Sequence, residues 1–367
     1  MSNETVASTG WRGISRAHIA GGGGLLLALF AIVGLLFPTS WAGVLLDIVT
    51  RTSTLASTLR LAVPIALAAV GGIFAEKSGV INIGLEGLLI VSAFTAIYGV
   101  DVTGSVWLGF LLGVAASVLL AAVFAVVCIE FRADQIIAGL AIWLVALGLA
   151  PFLSQVIYDQ INTAQVATFT SLPRLIDSLG VPAVPELLRA LGGIPFFGAL
   201  FTASPTVYLM FLSVAVGWYV LNRTPFGRWV RASGENPKAL DTVGVSVHRV
   251  RYAAVLLSGV FAGMGGASLA LSLGQFTGGG QTMVNGKGFI AIVAYLFGNY
   301  NPVGALLSTM LFAGLEAVQI RLQSGGFGVP NPLVRLIPYV SVIVVLALVG
   351  RTKIPAAAGE HYESGED

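Results

Sequence analysis

The chain has 367 residues, 56% of them hydrophobic and only 10% charged, against about 25% charged in a typical soluble domain. That balance excludes an ordinary soluble enzyme, and a net charge of +2 gives no basis for nucleic-acid binding. Cys128 is the single cysteine and lies inside an apolar run, which rules out a disulfide within the chain; the three histidines are far apart in polar segments, so no metal site is visible.

A polar segment, 1–19, opens the chain with Arg12 and Arg16. Apolar runs then follow at 20–38, 55–75, 80–100, 105–129, 135–153, 204–222, 251–273, 287–299, 302–321 and 334–350. Their length and the short polar breaks between them predict an all-α polytopic membrane protein. It has about ten transmembrane segments, with the membrane domain covering 20–350. The run at 287–299 is too short for a full crossing, so one or two segments are expected to be broken or re-entrant. Forty-six glycines suit helices that approach closely in a bilayer. Basic residues gather in 1–19, in 223–250 and in the tail 351–367, which places these segments and both termini in the cytoplasm.

Arg60 lies within the second span and Glu316 within the ninth. Counted at about 1.5 Å per residue, both come out at one depth, so they are expected to pair. The block Glu76–Gly87 opens the third span, and Asn82 and Glu86, four residues apart, would share a helix face. A carboxylate inside an apolar span must be paired, hydrated or turned to a cavity. Two readings of Glu86 stand: a polar lining of a translocation route, or a tie to neighbouring backbone at a broken helix.

The segment 154–203 is the largest region outside the membrane and holds two short amphipathic pieces. It reads either as an irregular cap or as a contact surface for an extracytoplasmic partner. In the cytoplasmic loop 223–250, Glu235-Asn236-Pro237-Lys238-Ala239-Leu240-Asp241-Thr242-Val243-Gly244 spells a short helix with specified ends. Asn236 caps the start, Pro237 suits the first helical position, and Gly244 suits a left-handed exit. Roughly seven residues, about 10 Å, cannot span a bilayer, so the helix is expected to be gripped by a soluble partner. The segment 274–288 mixes Gln275, Phe276 and Asn285 with many glycines. That mixture suits a small polar ring compound or a plain connecting loop. Gly286-Lys287 is followed by Gly288 rather than Ser or Thr, so it is not a phosphate-binding loop. No nucleophile is paired with a base, and the chain is read as lacking enzymatic activity.

These blocks resemble the permease subunits of bacterial ABC importers in the branch that takes up nucleosides and simple sugars, related more distantly to branched-chain amino acid permeases. The similar passages are EKSGVINIGLEG (76–87), RASGENPKALDTVGVSV (231–247), RYAAVLLSGVFAGMGG (251–266), NGKGFIA (285–291) and IPYV (337–340). The resemblance implies a multi-pass protein of the bacterial inner membrane that moves nucleosides, or a related small polar solute, inward by alternating access. Cytoplasmic ATPase subunits, which bind ATP and Mg, would grip the coupling helix through Glu235, Asn236, Pro237, Lys238, Ala239, Asp241 and Gly244. A second permease subunit, a different chain by family expectation, an extracytoplasmic substrate-binding lipoprotein and membrane lipid complete the partners. The path would be lined in part by Asn82, Glu86, Gln275, Phe276 and Asn285. The alternative is a secondary transporter driven by an ion gradient through Glu86 and Glu316.

Overall fold

A computed structural model describes residues 28–324 apart from 179 and 182, together with 336, 340, 343 and 353–363. The segment 1–19, the start of the first span and almost all of the tenth lie outside the described residues. Among those described there is no strand, and seven helices are long and apolar enough to cross a membrane. An eighth span is counted if the bent pair Ala28–Leu36 (α1) and Trp41–Thr50 (α2) acts as one. This pair turns by 103°, where the sequence suggested one run over 20–38. Ser40 sets the bend by capping α2 through the Gly43 N–H.

The full-length helices are Thr52–Lys77 (α3), Leu85–Thr103 (α4), Val106–Ala125 (α5) continued as a π-helical turn over Val126–Glu130, and Gln135–Tyr158 (α6). After three short helices, Leu172–Ser178 (α7), Ala183–Gly192 (α8) and Gly198–Phe201 (α9), come Pro205–Arg223 (α10), Pro225–Glu235 (α11) and Pro237–Thr242 (α12). Val247–Leu273 (α13), Lys287–Phe297 (α14) and Pro302–Ser324 (α15) complete the set. Helices α3, α4 and α13 are buried over most of their length and form the centre; α5, α6, α10 and α15 surround them and turn apolar side chains outward. A helix apolar all round belongs in a core or in lipid, and here the outer ring shields the inner one.

Small residues set the central packing. Gly266 of α13 lies against the backbone of Leu89 in α4, so close that a methyl group there would sit 2.2 Å from the Leu89 carbonyl oxygen. On the next face, Gly259 and Gly263 receive the backbone of α5 around Val118 and Val114. Water gives no drive for helices to associate inside lipid, so such contacts and interhelical hydrogen bonds carry the assembly. Ser117 Oγ donates to the Gly259 carbonyl at 2.8 Å and Ser92 Oγ to that of Gly263 at 2.6 Å.

The third span begins at Leu85, not at 80, and Asn82 sits in the preceding irregular linker; it therefore shares no helix face with Glu86. The loop 223–250 holds a second helix, α11, which the sequence reading missed. Its signal was present: Thr224 caps it by accepting from the Gly227 N–H at 3.2 Å, and Pro225 occupies the first position.

Candidate functional site

Two regions bring the singled-out residues together. The first is the face built by α11 and α12. Asn236 leaves the helical conformation and its Oδ1 accepts from the Ala239 N–H at 3.0 Å, while Pro237 stands first in α12. Gly244, at φ 79°, closes the far end by donating to the Asp241 carbonyl at 2.8 Å. Leu240 is buried beneath the helix, whereas Glu235, Asn236, Lys238, Ala239 and Gly244 are exposed and Val243 is 72% exposed. The helix thus keeps one anchor inside and offers a charged rim with an apolar tip.

That face is fixed to the end of α3. Ser233 Oγ donates to the Ser78 carbonyl at 2.8 Å. Gly234 fits against the Lys77 carbonyl so closely that a methyl group would lie 2.4 Å from its oxygen. The tail residues 353–363, part of the segment expected as a cytoplasmic C-terminal tail, are laced across the same surface. Ala357 N–H donates to the Gly234 carbonyl at 2.8 Å, Gly359 N–H to that of Gly79 at 2.9 Å, and Tyr362 OH to Asp241 Oδ2 at 2.9 Å. Buried Arg251, at the start of α13, donates to the Glu360 carbonyl at 2.7 Å, and Arg132 pairs with Glu363. Between the tail and α12 runs a groove of about 650 Å³ lined by Glu235, Asn236, Pro237, Lys238, Glu360 and His361 among others.

The second region is the start of α14. At 11 residues this helix is about 16 Å long, roughly half of the ~30 Å hydrocarbon core. Its C-terminal end meets the side that bears α11 and α12, where Tyr295 OH donates to Glu76 and the Asn299 side chain accepts from the Lys353 N–H. Its N-terminal end therefore stops within the membrane, where free N–H groups find no water. Glu86 supplies the missing acceptors: Oε1 takes the Gly286 N–H at 2.7 Å and Oε2 the Gly288 N–H at 2.6 Å. Gly288 has no side chain because the Glu86 backbone occupies that space; a methyl group would lie 2.4 Å from the Glu86 nitrogen. The carboxylate is the cap of a helix 200 residues away in the chain.

The other singled-out residues divide. Asn82 is buried and donates to Ser258 Oγ at 2.8 Å, leaving its Oδ1 without a partner. Gln275 Nε2 donates to the Thr163 carbonyl at 2.7 Å, which helps to join the 159–171 segment to the end of α13. Phe276 is fully buried, edge-on to Phe94 with ring centroids 5.6 Å apart, so its ring is committed to packing. Asn285 is exposed at φ 48° in the turn before α14. The expected Arg60–Glu316 pair is not formed. Glu316 pairs with Lys287 at 3.1 Å, and Arg60 makes no ion pair among the described residues. Depth alone misled the sequence reading, because helix rotation also decides: it is Thr58 of α3 that faces Gly314 of α15, and Arg60, two residues on, points elsewhere.

Residues 54–346 match the family described as branched-chain amino acid transport system / permease component. The chain belongs to this permease family. The guanosine ABC transporter permease protein NupQ of Bacillus subtilis is 36% identical over 323 residues, covering 84% of this chain and 96% of its own. The nucleoside ABC transporter permease protein NupC of Lactococcus lactis is 34% identical, covering 82% and 93%. A putative glucose ABC transporter permease protein, TsgC13 of Haloferax volcanii, is also 34% identical, covering 85% and 97%. No solved structure matches. Family and apolar helices together make the chain a multi-pass membrane permease component.

Proposed function

We propose that the chain is the permease subunit of an ATP-driven importer that moves nucleosides inward by alternating access. The observation that carries this reading is the α11–α12 face: a short helix capped at both ends, fixed to the base of α3, on a permease whose relatives are named for guanosine and nucleoside transport. Both termini and this face are cytoplasmic, and the seven long helices, the runs at 20–38 and 334–350 and the half-length α14 together make about ten membrane segments. Separate ATPase subunits bind ATP and Mg and press on α12, with Val243 as the apolar tip and Lys238 and Glu235 as its charged rim. A rigid helix transmits that force better than a loop, because neither end can fray. Gly234 and Ser233 pass it to α3, which runs about 39 Å from the coupling side to the opposite one.

A second, different permease subunit completes the path, and an extracytoplasmic lipoprotein delivers the solute to the side bearing α7–α9. The ion-gradient alternative is disfavoured, since Glu86 and Glu316 are both engaged, one by backbone donors and one by Lys287. A sugar substrate is the second reading, favoured by the resemblance to the glucose permease protein. Uptake of labelled guanosine, adenosine and glucose by proteoliposomes holding the complete complex separates the two: saturable nucleoside uptake that unlabelled glucose does not compete is expected, and glucose uptake alone would move the assignment to sugars.

A further inference from the structure

Arg60 is the intramembrane charge left without a function. It lies about 12 Å along α3 from Thr52 and about 25 Å from Lys77, on the side remote from the coupling helix. A charge at such depth faces a cavity or a path when it has no counter-ion, and Arg60 has none among the described residues. Arg60 is exposed and borders an open-sided cavity of about 310 Å³. Ser57, Ser171, Thr202 and Ser204 line it with hydroxyl oxygens, Phe169 supplies an aromatic wall, and Arg60 is the single charged residue of the lining. Ser57 Oγ donates its proton to the Ser53 carbonyl, Thr202 Oγ1 to that of Gly198, and Ser204 Oγ is bonded to Thr206, so these three present acceptor lone pairs.

The wall is rigid. Phe169 is held edge-on by Trp107, with ring centroids 5.1 Å apart, and by Phe110 at 5.9 Å. Arg60 is also prepared at its backbone: Pro64, inside α3, has no N–H and so deprives the Arg60 carbonyl of its usual helical donor. A phosphate would call for more than one cation. One guanidinium, several hydroxyls and a fixed ring instead match a neutral solute with a flat heterocycle and a polyhydroxyl part.

We infer that this cavity is the vestibule that admits the nucleoside, with Arg60 donating to acceptors of the base, Phe169 packing against its face and the Ser and Thr hydroxyl oxygens accepting from the sugar's O–H groups. This rests on the nucleoside reading above. The volume lies at the lower end of the ~300–1,000 Å³ typical of small-molecule sites, as a nucleoside-sized occupant requires.

The test uses the complete complex in proteoliposomes, with nucleoside uptake and receptor-stimulated ATP hydrolysis measured side by side. Arg60→Gln is expected to cut uptake roughly tenfold or more, the loss of one charge-assisted hydrogen bond, while hydrolysis continues. Phe169→Leu is expected to lose roughly tenfold, with a different loss for purine and pyrimidine nucleosides. In parallel, Ser171→Cys is labelled from the receptor side with a thiol reagent, native Cys128 being buried; nucleoside should slow the labelling. If the unaltered complex takes up no nucleoside, the functional reading falls, and this site with it. If it takes up nucleosides while Arg60→Gln does the same at full rate, the vestibule alone is overturned. Should Arg60→Gln fail to assemble, labelling of Ser171→Cys unaffected by nucleoside overturns it. An Arg60 effect that follows anionic lipid content, without nucleoside protection, assigns the residue to lipid and overturns it equally.

Discussion

Replacing Glu86 separates the two readings of that carboxylate left open by the sequence. Its oxygens accept from two backbone donors at 2.7 and 2.6 Å, both at the N-terminal end of α14, which starts inside the membrane. Glu86→Ala orphans both. Each buried donor left unsatisfied costs about 1–3 kcal/mol, so the variant should lose about 2–6 kcal/mol. Glu86→Gln keeps one acceptor but turns an NH2 group toward the other donor, which puts its loss at about half of that, roughly 1–3 kcal/mol. Thermal unfolding of the purified complex, followed together with limited proteolysis across 277–286, reads both effects. The midpoint should fall in the order wild type, Glu86→Gln, Glu86→Ala, with cleavage rising in the same order as the start of α14 loosens. A Glu86→Ala protein with an unchanged midpoint and cleavage pattern but no transport would refute this reasoning, because the carboxylate would then act on the solute and not on the backbone.

Other predictions follow from the same geometry. Asn236→Ala combined with Pro237→Ala removes a cap worth about 1 kcal/mol and should weaken receptor-stimulated hydrolysis and transport while membrane insertion, checked by expression and fractionation, is kept. Lys287→Met alone leaves Glu316 uncompensated in a largely buried pair and should cost about 3–5 kcal/mol; adding Glu316→Leu should restore most of the melting temperature. Gly266→Ala pushes a methyl group against the Leu89 carbonyl and should cost at least about 1–3 kcal/mol, with looser α4–α13 packing seen as faster cleavage in detergent. Deleting 353–367 removes the contacts to Gly234, Gly79, Asp241 and Arg251. Transport per ATP hydrolysed should then drop, while nucleoside binding by the receptor stays as it was.

The sequence reading reached what depends on neighbours in the chain and failed where partners are distant. Apolar runs located α3, α5, α6, α10, α13 and α15 to within a few residues, and Asn236, Pro237 and Gly244 located α12, because capping is a local interaction. The same Thr-Pro signature at 224–225 could have located α11. The acceptors for the α14 N–H groups could not be read from the chain around them, since Glu86 reaches them across the bundle. Phe276 has the composition of a ligand contact but is packed on Phe94, a distinction that only burial makes. Arg60 and Glu316 agree in depth and differ in facing, and one run of residues carries no record of how two helices are rotated against each other.

The central claim is that this permease passes nucleosides under the drive of ATPase subunits held at α12. The most direct measurement is ATP hydrolysis in lipid by the complex of this chain with its ATPase and second permease, with receptor added empty or loaded. Stimulation by nucleoside-loaded receptor, lost when Asn236 and Pro237 are both replaced by Ala, is the predicted result. A stable complex indifferent to nucleoside-loaded receptor, or one whose stimulation survives that double replacement, would contradict it.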